Sequence, residues 1–434
     1  MACLPCFYMS IHFLFLYLSC QPIDTHILSR SVKPLCLEDE MSALLQFKED
    51  CCSWDGIECD ENTGHVIVLD LGSSFLYGSI DNNSTIFQLA HLEKLNLGDN
   101  HFNYSRIPSR VGDLSRLTHL NLSASFFSGQ VPSEIFKLTR LVYLNLCCNL
   151  DPHHDRLLLE MKAPGLRRLS QNLTGLEELL LGFVNMSSQV PNTLANLSSL
   201  RRLNMDECDL HGIFPPAIFH LPKLQYLSVD DNEDLTGRLP NFNSSSPLKE
   251  LRLGGTSFYG ELPASIVIYK GLKQYYSKVL DVFTVIDLSN NSFEGEIPDA
   301  IGDLQGLHGL SLSNNFLTGH IPSSFGNLTV LESLDLSRNK LSGRIPQKLT
   351  ELTFLSSLNV SYNNLTGFVP RGAQFDTFTN NSFEGNSGLC GEFIPKKCRH
   401  LGYALGQPPT QYEEDLGLPI ELDWKIVRWG MGVA

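Results

Sequence analysis

The sequence predicts an α/β repeat solenoid, a curved array that carries one parallel β-sheet on its concave face. Leu307, Leu331 and Leu355 lie 24 residues apart, and each opens the pattern L-x-x-L-x-L-x-x-N. The same frame begins at Val66, Leu92, Leu117, Leu141, Leu176, Leu200, Leu224, Leu248 and Phe283, which makes about twelve repeats. Each unit then runs into L-x-G-x-I-P, as at Leu317, Gly319, Ile321 and Pro322. One repeat cannot bury its own apolar face, so such a period implies stacked coils with caps at both ends.

Within each repeat, L-x-x-L-x-L alternates with period two, so a short strand points its leucines inward and the residues between them outward. The Asn at the ninth position is expected to turn inward, where its amide bridges backbone groups of adjacent coils that are otherwise buried unpaired. Cys208 and Thr256 stand there in two repeats. The Gly allows the backbone to bend, and the Pro ends the ladder before the chain returns along the convex side.

A 434-residue chain with 42% hydrophobic and 18% charged residues has the balance of a folded protein. A net charge of -15 without a basic stripe excludes nucleic acid as a partner. The apolar run from Phe7 to Leu18, ending in Ser19 and Cys20, has the length and place of a signal peptide over residues 1–20. Removing it leaves nine cysteines, an odd number, with Cys147, Cys148 and Cys208 the expected spares inside repeats. N-x-S/T sequons at Asn82, Asn83, Asn103, Asn121, Asn172, Asn185, Asn196, Asn243, Asn290, Asn327, Asn359, Asn364 and Asn380 agree with a secretory route. Some of them arise from the repeat consensus itself.

The L-x-G-x-I-P segment resembles the plant-specific leucine-rich repeat, a likeness that covers roughly residues 36 to 398. Cys51, Cys52, Ser53, Trp54, Asp55, Gly56, Ile57, Glu58 and Cys59 resemble the N-terminal cap of plant leucine-rich-repeat receptors; Phe383 to Gly391, followed by Cys398, resembles their C-terminal cap. Together these resemble the receptor-like proteins, cell-surface receptors with a repeat ectodomain and no kinase. The resemblance implies disulfide-stapled caps: Cys36 with one member of the Cys51/Cys52 doublet, Cys59 with the other, and Cys390 with Cys398. A zinc site is not expected, because the spacings are not two C-x-x-C knuckles and no His is close.

The domain plan that follows is a signal peptide (1–20), a shortened N-terminal cap (36–65) and a first repeat block (66–268). A remnant of the family's island segment (269–281), a second block (282–378), a C-terminal cap (379–400) and an acidic juxtamembrane-like tail (401–434) complete it. The cap is shortened because only 14 residues separate Cys36 from Cys51. The 35-residue interval from Leu141 to Leu176 holds Asp151, Pro152, His153, His154, Asp155 and Arg156, expected as a solvated edge loop rather than a metal site. The interval from Leu248 to Phe283 is equally long, and Tyr269 to Leu280 resembles the end of the island. After Cys398 the acidic spacer leads into Asp423 to Val427, which resembles the stretch just outside the membrane. No run of eighteen or more apolar residues follows, so the sequence reads as truncated before its transmembrane helix.

Outward strand positions vary without disturbing the core, so ligand recognition is sought there. In the last four repeats they are mostly small or polar. In repeats five to eight they include Glu177, Phe183, Arg201, Arg202, Asp206, Glu207, Tyr226, Asp230, Asp231 and Arg252, the Arg-and-aromatic mixture that interface hot spots favour. The plain alternative is charge that serves solubility. No G-x-S-x-G, H-E-x-x-H, G-x-x-x-x-G-K-[ST] or H-R-D motif is present, His91, His119 and His308 sit at positions tolerant of any polar residue, and neither catalysis nor a cofactor is expected. The expected function is extracellular recognition of a peptide, protein or cell-wall-derived ligand in plant defence or development, bridging to a co-receptor kinase. The alternatives are a secreted inhibitor resembling the polygalacturonase-inhibiting proteins, and a soluble decoy or defective receptor paralogue.

Overall fold

A computed structural model describes residues 51–151, 156–242, 246–266, 284–391, 394 and 396. The signal peptide, Cys36, His153 to Asp155, Asn243, the island segment, Cys398 and the acidic tail lie outside the described residues.

The L-x-x-L-x-L frames become twelve parallel strands in one sheet. β1 (Ile57–Cys59) runs antiparallel to β2 (Val66–Asp70) and closes the N-terminal edge. β3 (Lys94–Asn96), β4 (His119–Asn121), β5 (Tyr143–Asn145), β6 (Glu178–Leu180) and β7 (Arg202–Asn204) follow in chain order. β8 (Tyr226–Ser228), β9 (Glu250–Arg252), β10 (Val285–Asp287), β11 (Gly309–Ser311), β12 (Ser333–Asp335) and β13 (Ser357–Asn359) complete it. The register never slips from β3 to β13, because the central Leu or Ile of each strand pairs with that of the next; a slip of one residue would expose every buried Leu.

Just past the concave strands the chain turns through a left-handed residue, such as Asp99, Glu207, Asp231, Asn290 or Asn314, and in the middle of the array it adds a strand to a second, six-stranded parallel sheet, which runs from Ser188–Gln189 to Phe316–Thr318. The Pro of I-P then precedes a short 3-10 helix on the convex side, such as Ser133–Lys137, Asp299–Asp303 or Ser323–Asn327. Pro fixes φ for a helical start and donates nothing to a strand ladder. The long interval after Leu141 folds instead into an antiparallel pair, Leu150–Asp151 with Arg156–Leu157, and the helix α1 (Gly165–Asn172). The core is a continuous column of aliphatic side chains with phenylalanines at intervals; Phe102 and Phe127 stack with centroids 4.7 Å apart.

The ninth-position asparagines point inward. Asn232 Nδ2 donates to the carbonyls of Met205 (2.9 Å), Val229 (2.9 Å) and Asp230 (3.1 Å), while its Oδ1 accepts from the N–H groups of Cys208 (3.1 Å) and Leu210 (2.9 Å). Asn100, Asn149, Asn291, Asn315, Asn339 and Asn363 likewise donate to carbonyls of their own and the preceding coil. Four repeats, not two, depart from Asn in the described array's interior. Ser125 and Val184 also occupy the position, and Ser125 Oγ still reaches the Leu97 carbonyl at 2.7 Å. Asn386 extends the ladder into the C-terminal cap by donating to Val360 and Phe383 carbonyls, both at 3.0 Å.

Cys52 and Cys59 form a disulfide with sulfurs 2.04 Å apart, so Cys52 is the doublet member that pairs with Cys59. Cys51 and Cys390 are also disulfide-bonded. Two expected spares are not spare: Cys147 and Cys148, adjacent in the chain, are joined to each other, which leaves Cys208 as the free, buried thiol among the described residues. Gly56 permits the tight approach of the cap; its φ is +82°, and a Cβ there would lie 2.1 Å from the Asp70 carbonyl oxygen.

Replacing Asn232 by Ala strands two buried N–H groups and the carbonyls of Met205 and Val229, while the Asp230 carbonyl keeps the Glu207 N–H at 2.9 Å. The expected outcome is a loss of about 3 kcal/mol in unfolding free energy, measured by denaturant unfolding, with hydrogen exchange accelerated first in the coils on either side.

Candidate functional site on the concave face

The third residue of every repeat opens its strand and faces outward, so strict register stacks these side chains into one row. From β3 to β9 the row is Lys94, His119, Tyr143, Glu178, Arg202, Tyr226 and Glu250. His119 stacks on Tyr143 with centroids 5.9 Å apart. Arg202 lies between an ion pair with Glu178 (3.5 Å) and the face of Tyr226, its guanidinium 4.6 Å from the ring centroid. Arg201 pairs with Glu177 at 3.1 Å, and Arg252 with Glu250 at 2.6 Å. The two pairs of Arg201 and Arg202 are about half exposed and hold geometry more than they add stability, while the Arg252–Glu250 pair is more covered.

Below this row two carboxylates are drawn out of water. Asp206 Oδ1 accepts from the Asp230 N–H at 3.0 Å and from the Ser228 hydroxyl, and Asp230 Oδ1 accepts from the Gly254 N–H at 2.7 Å. Burial raises the Asp206 carboxyl above the usual range against the pull of those hydrogen bonds and of Arg252. Burial, reinforced by the Asp206 and Asp287 carboxylates, pushes Asp230 up to about 8. Burial also raises the hydroxyls of Tyr143 and Tyr226, and it lowers His119 with help from Lys94. The middle of the face is therefore a place where charge is costly unless a partner supplies its complement.

The expected site residues are not all on this face. Arg201, Arg202, Tyr226, Arg252, Glu177 and Asp206 are at least partly exposed on or beside the strands. Phe183 is buried at a left-handed position of the turn (φ +65°), with only 8% of the residue accessible, and it does not join the apolar core column. Asp230 is likewise buried. Glu207 and Asp231 also adopt left-handed backbone and line a lateral groove with Asp209, Glu233, Asp234 and Ser257. Lys94, His119 and Tyr143 belong to the row although the sequence reading passed over them; their signal is the same third position in the frame.

The sequons divide in the same way. Asn82, Asn103, Asn172, Asn196, Asn290, Asn327 and Asn364 are exposed, and Asn185 and Asn380 are half-buried. Asn121 and Asn359 lie in concave strands, where Asn121 Nδ2 donates to Asn96 Oδ1 at 2.8 Å.

The family model for a leucine-rich repeat region matches residues 61–279, and a leucine-rich-repeat model matches 282–341 and 305–365. The chain belongs to the leucine-rich-repeat family. Receptor-like protein 7 of Arabidopsis thaliana is 42% identical over 253 residues, covering 55% of this chain and 26% of the relative. Receptor-like protein Cf-9 of Solanum pimpinellifolium is 36% identical over 279 residues, covering 55% and 31%. This leucine-rich-repeat chain thus spans less than a third of the length of these curated relatives. Among solved structures, the plant peptide hormone receptor RGFR1 in complex with RGF2 superposes with a TM-score of 0.59 at 27% identity, covering 79% of this chain and 52% of that one. A TDR receptor gives 0.56 at 26%, covering 73% and 58%. Among the described residues no helix is long and apolar enough to cross a membrane.

Asp230 stays protonated in the folded chain to about pH 8 but ionises near 4 when unfolded. The unfolded state therefore binds fewer protons across that window, and this group's contribution to stability falls as pH rises from about 4 to 8, then levels off. Asp230→Asn, which keeps the acceptor for Gly254 without the charge, is expected to match the wild type near pH 4 and exceed it increasingly toward pH 8. Thermal unfolding across pH checks this.

Proposed function

We propose that this chain recognises an extended peptide or protein segment along the concave row, outside the cell, in plant defence or developmental signalling and without catalysis. The observation that carries the reading is the unbroken seven-residue row from Lys94 to Glu250, in which cations, anions and aromatic rings alternate at strand spacing. At about 4.8 Å between neighbouring strands the row extends for roughly 30 Å, room for about nine residues of extended chain. An open face of this shape encloses no reactive centre from water, which favours binding over chemistry.

The relatives and the solved neighbours support this reading: the former carry receptor-like names, and one of the latter is a peptide hormone receptor with its ligand. The last strands present Gly309, Ser333 and Ser357 in the same row, a flat, small-residue surface suited to a second protein such as a co-receptor kinase. Passage through the secretory pathway is part of the proposal, supported by the exposed sequons and the disulfide at the N-terminal cap.

The test uses the full chain secreted from plant cells and a phage-displayed library of random nonapeptides. Selected peptides are expected to bind the wild type and to lose at least tenfold in affinity, about 1.4 kcal/mol, against Arg201→Glu/Arg202→Glu/Tyr226→Ala at unchanged thermal stability. Equal binding by the two proteins would remove the concave row from the mechanism.

A further inference from the structure

The first three repeats carry a second feature, on the lateral face beyond the concave strands. The tenth position of the repeat is Phe75, His101 and Phe126 there; Asp209, Glu233, Ser257 and Ser292 hold it in the middle of the array, and a single aromatic, Phe316, takes it further on. Phe75 is 96% exposed and Tyr77 76%. The His101 ring stacks on Phe126 at 4.3 Å, lies 5.0 Å from Tyr77, and meets Tyr104 edge-on at 5.9 Å. Tyr104 also stands edge-on to Phe126 at 5.9 Å. A shelf of aromatic rings held this firmly outside the core is unusual for a soluble surface.

The backbone beneath it is strained. Tyr104 has φ +59° at the thirteenth position, where Gly129, Gly212, Gly295, Gly319, Gly343 and Gly367 stand in other repeats with φ between +76° and +88°. A side chain in that region costs on the order of 1 kcal/mol, and such strain persists where it serves something. The neighbouring Asn103 is also left-handed, at φ +49°, and its N–H donates to His101 Nδ1 at 3.2 Å, which fixes the ring. Asn103 is exposed between His101 and Tyr104, and it heads the sequon Asn103, Tyr104, Ser105.

We propose that Asn103 carries an N-linked glycan whose first pyranose rests on the shelf of Tyr104, His101 and Phe126 and stabilises the N-terminal repeats. The proposal rests on the secretory reading above. In the transfer, Asn103 Nδ2 forms a bond to C1 of the first sugar of a dolichyl-pyrophosphate-linked oligosaccharide; the C1–O bond to pyrophosphate breaks and Nδ2 loses one proton. Aromatic faces carry negative charge density, and the C–H bonds on one face of a pyranose present positive density to them. The sugar covers apolar surface that is otherwise wetted. Ser105 Oγ is enclosed without a hydrogen-bond partner, so the sequon is read before this repeat closes.

The test is a cycle on the full chain secreted from plant cells. Asn103→Gln removes the glycan; Tyr104→Gly removes the ring, keeps the sequon and installs the residue most repeats use, so it is expected to fold. Glycopeptide mass spectrometry should find Asn103 occupied in both sequon-bearing forms. Asn103→Gln should lower Tm by about 2 °C with Tyr104 present and leave it unchanged in the Tyr104→Gly background, while peptide N-glycosidase should release the Asn103 sugar several-fold faster from Tyr104→Gly. Equal Tm changes in both backgrounds, equal release rates, or an unmodified Asn103 beside occupied sequons elsewhere would overturn the proposal. A chain with no glycan at any sequon would overturn the secretory reading instead.

Discussion

A coil about two dozen residues long encloses a dry core, and the backbone that turns from concave strand to lateral strand must place its carbonyls inside it. Each of those carbonyls needs a donor, because leaving one unpaired costs more than a typical hydrogen bond contributes. The inward asparagine answers this with a side chain that reaches its own coil and the one before it, as Asn232 does with three carbonyls and two N–H groups. The same amide ties neighbouring coils together and supports the register that the paired central leucines fix, a register that also holds through the repeats with Ser125, Val184, Cys208 and Thr256. Asn386 extends the ladder into the C-terminal cap.

The concave face shows what happens when a second, smaller hydrogen-bonding device changes partners. Along most of the array the fifth residue of the repeat caps the N–H two residues ahead, as with Asn96, Asn121, Asn145, Asp287, Asp335 and Asn359. In the middle repeats that role passes to Asp206 and Asp230, which reach instead to the backbone of the following coil. The exchange pulls two carboxyls out of solvent and beside each other, under the row that holds Arg202, Tyr226 and Glu250. A local change in capping thus produces the region of the face where electrostatics are least satisfied by the chain itself, and that is where a partner's charge has most to gain.

Most of the fold was legible in the sequence, because the signals were periodic and repeated. The frame starts became strands one for one, and the Asn position was read as a bridge between coils. Ser125 and Val184 were missed at that position, since a hydroxyl or an aliphatic group there looks like ordinary core or surface until the neighbouring coil is in place. The long interval after Leu141 was expected as a loop, but its apolar residues found neighbours in the array and formed a strand pair and α1. Cys147 and Cys148 were expected as spare thiols inside a repeat, but these chain neighbours are bonded to each other in the turn that follows β5.

The site was less legible, for a physical reason. Period-two alternation tells which strand residues point outward, and so Arg201, Arg202, Tyr226 and Arg252 could be placed on the concave face from sequence. It says nothing past the strand's end, where the backbone turns left-handed: Phe183 is covered there without joining the core column, and Glu207 and Asp231 line the lateral groove. The contiguity of Lys94, His119 and Tyr143 with the later row was implicit in the shared third position, yet their contacts depend on distance across strands. By itself the sequence determined the repeat, its inward and outward faces and its caps, because these follow from local periodicity and spacing. Tertiary structure alone decided which carboxyls lose water and which rings meet, because burial and contact between coils are set by residues two dozen positions apart.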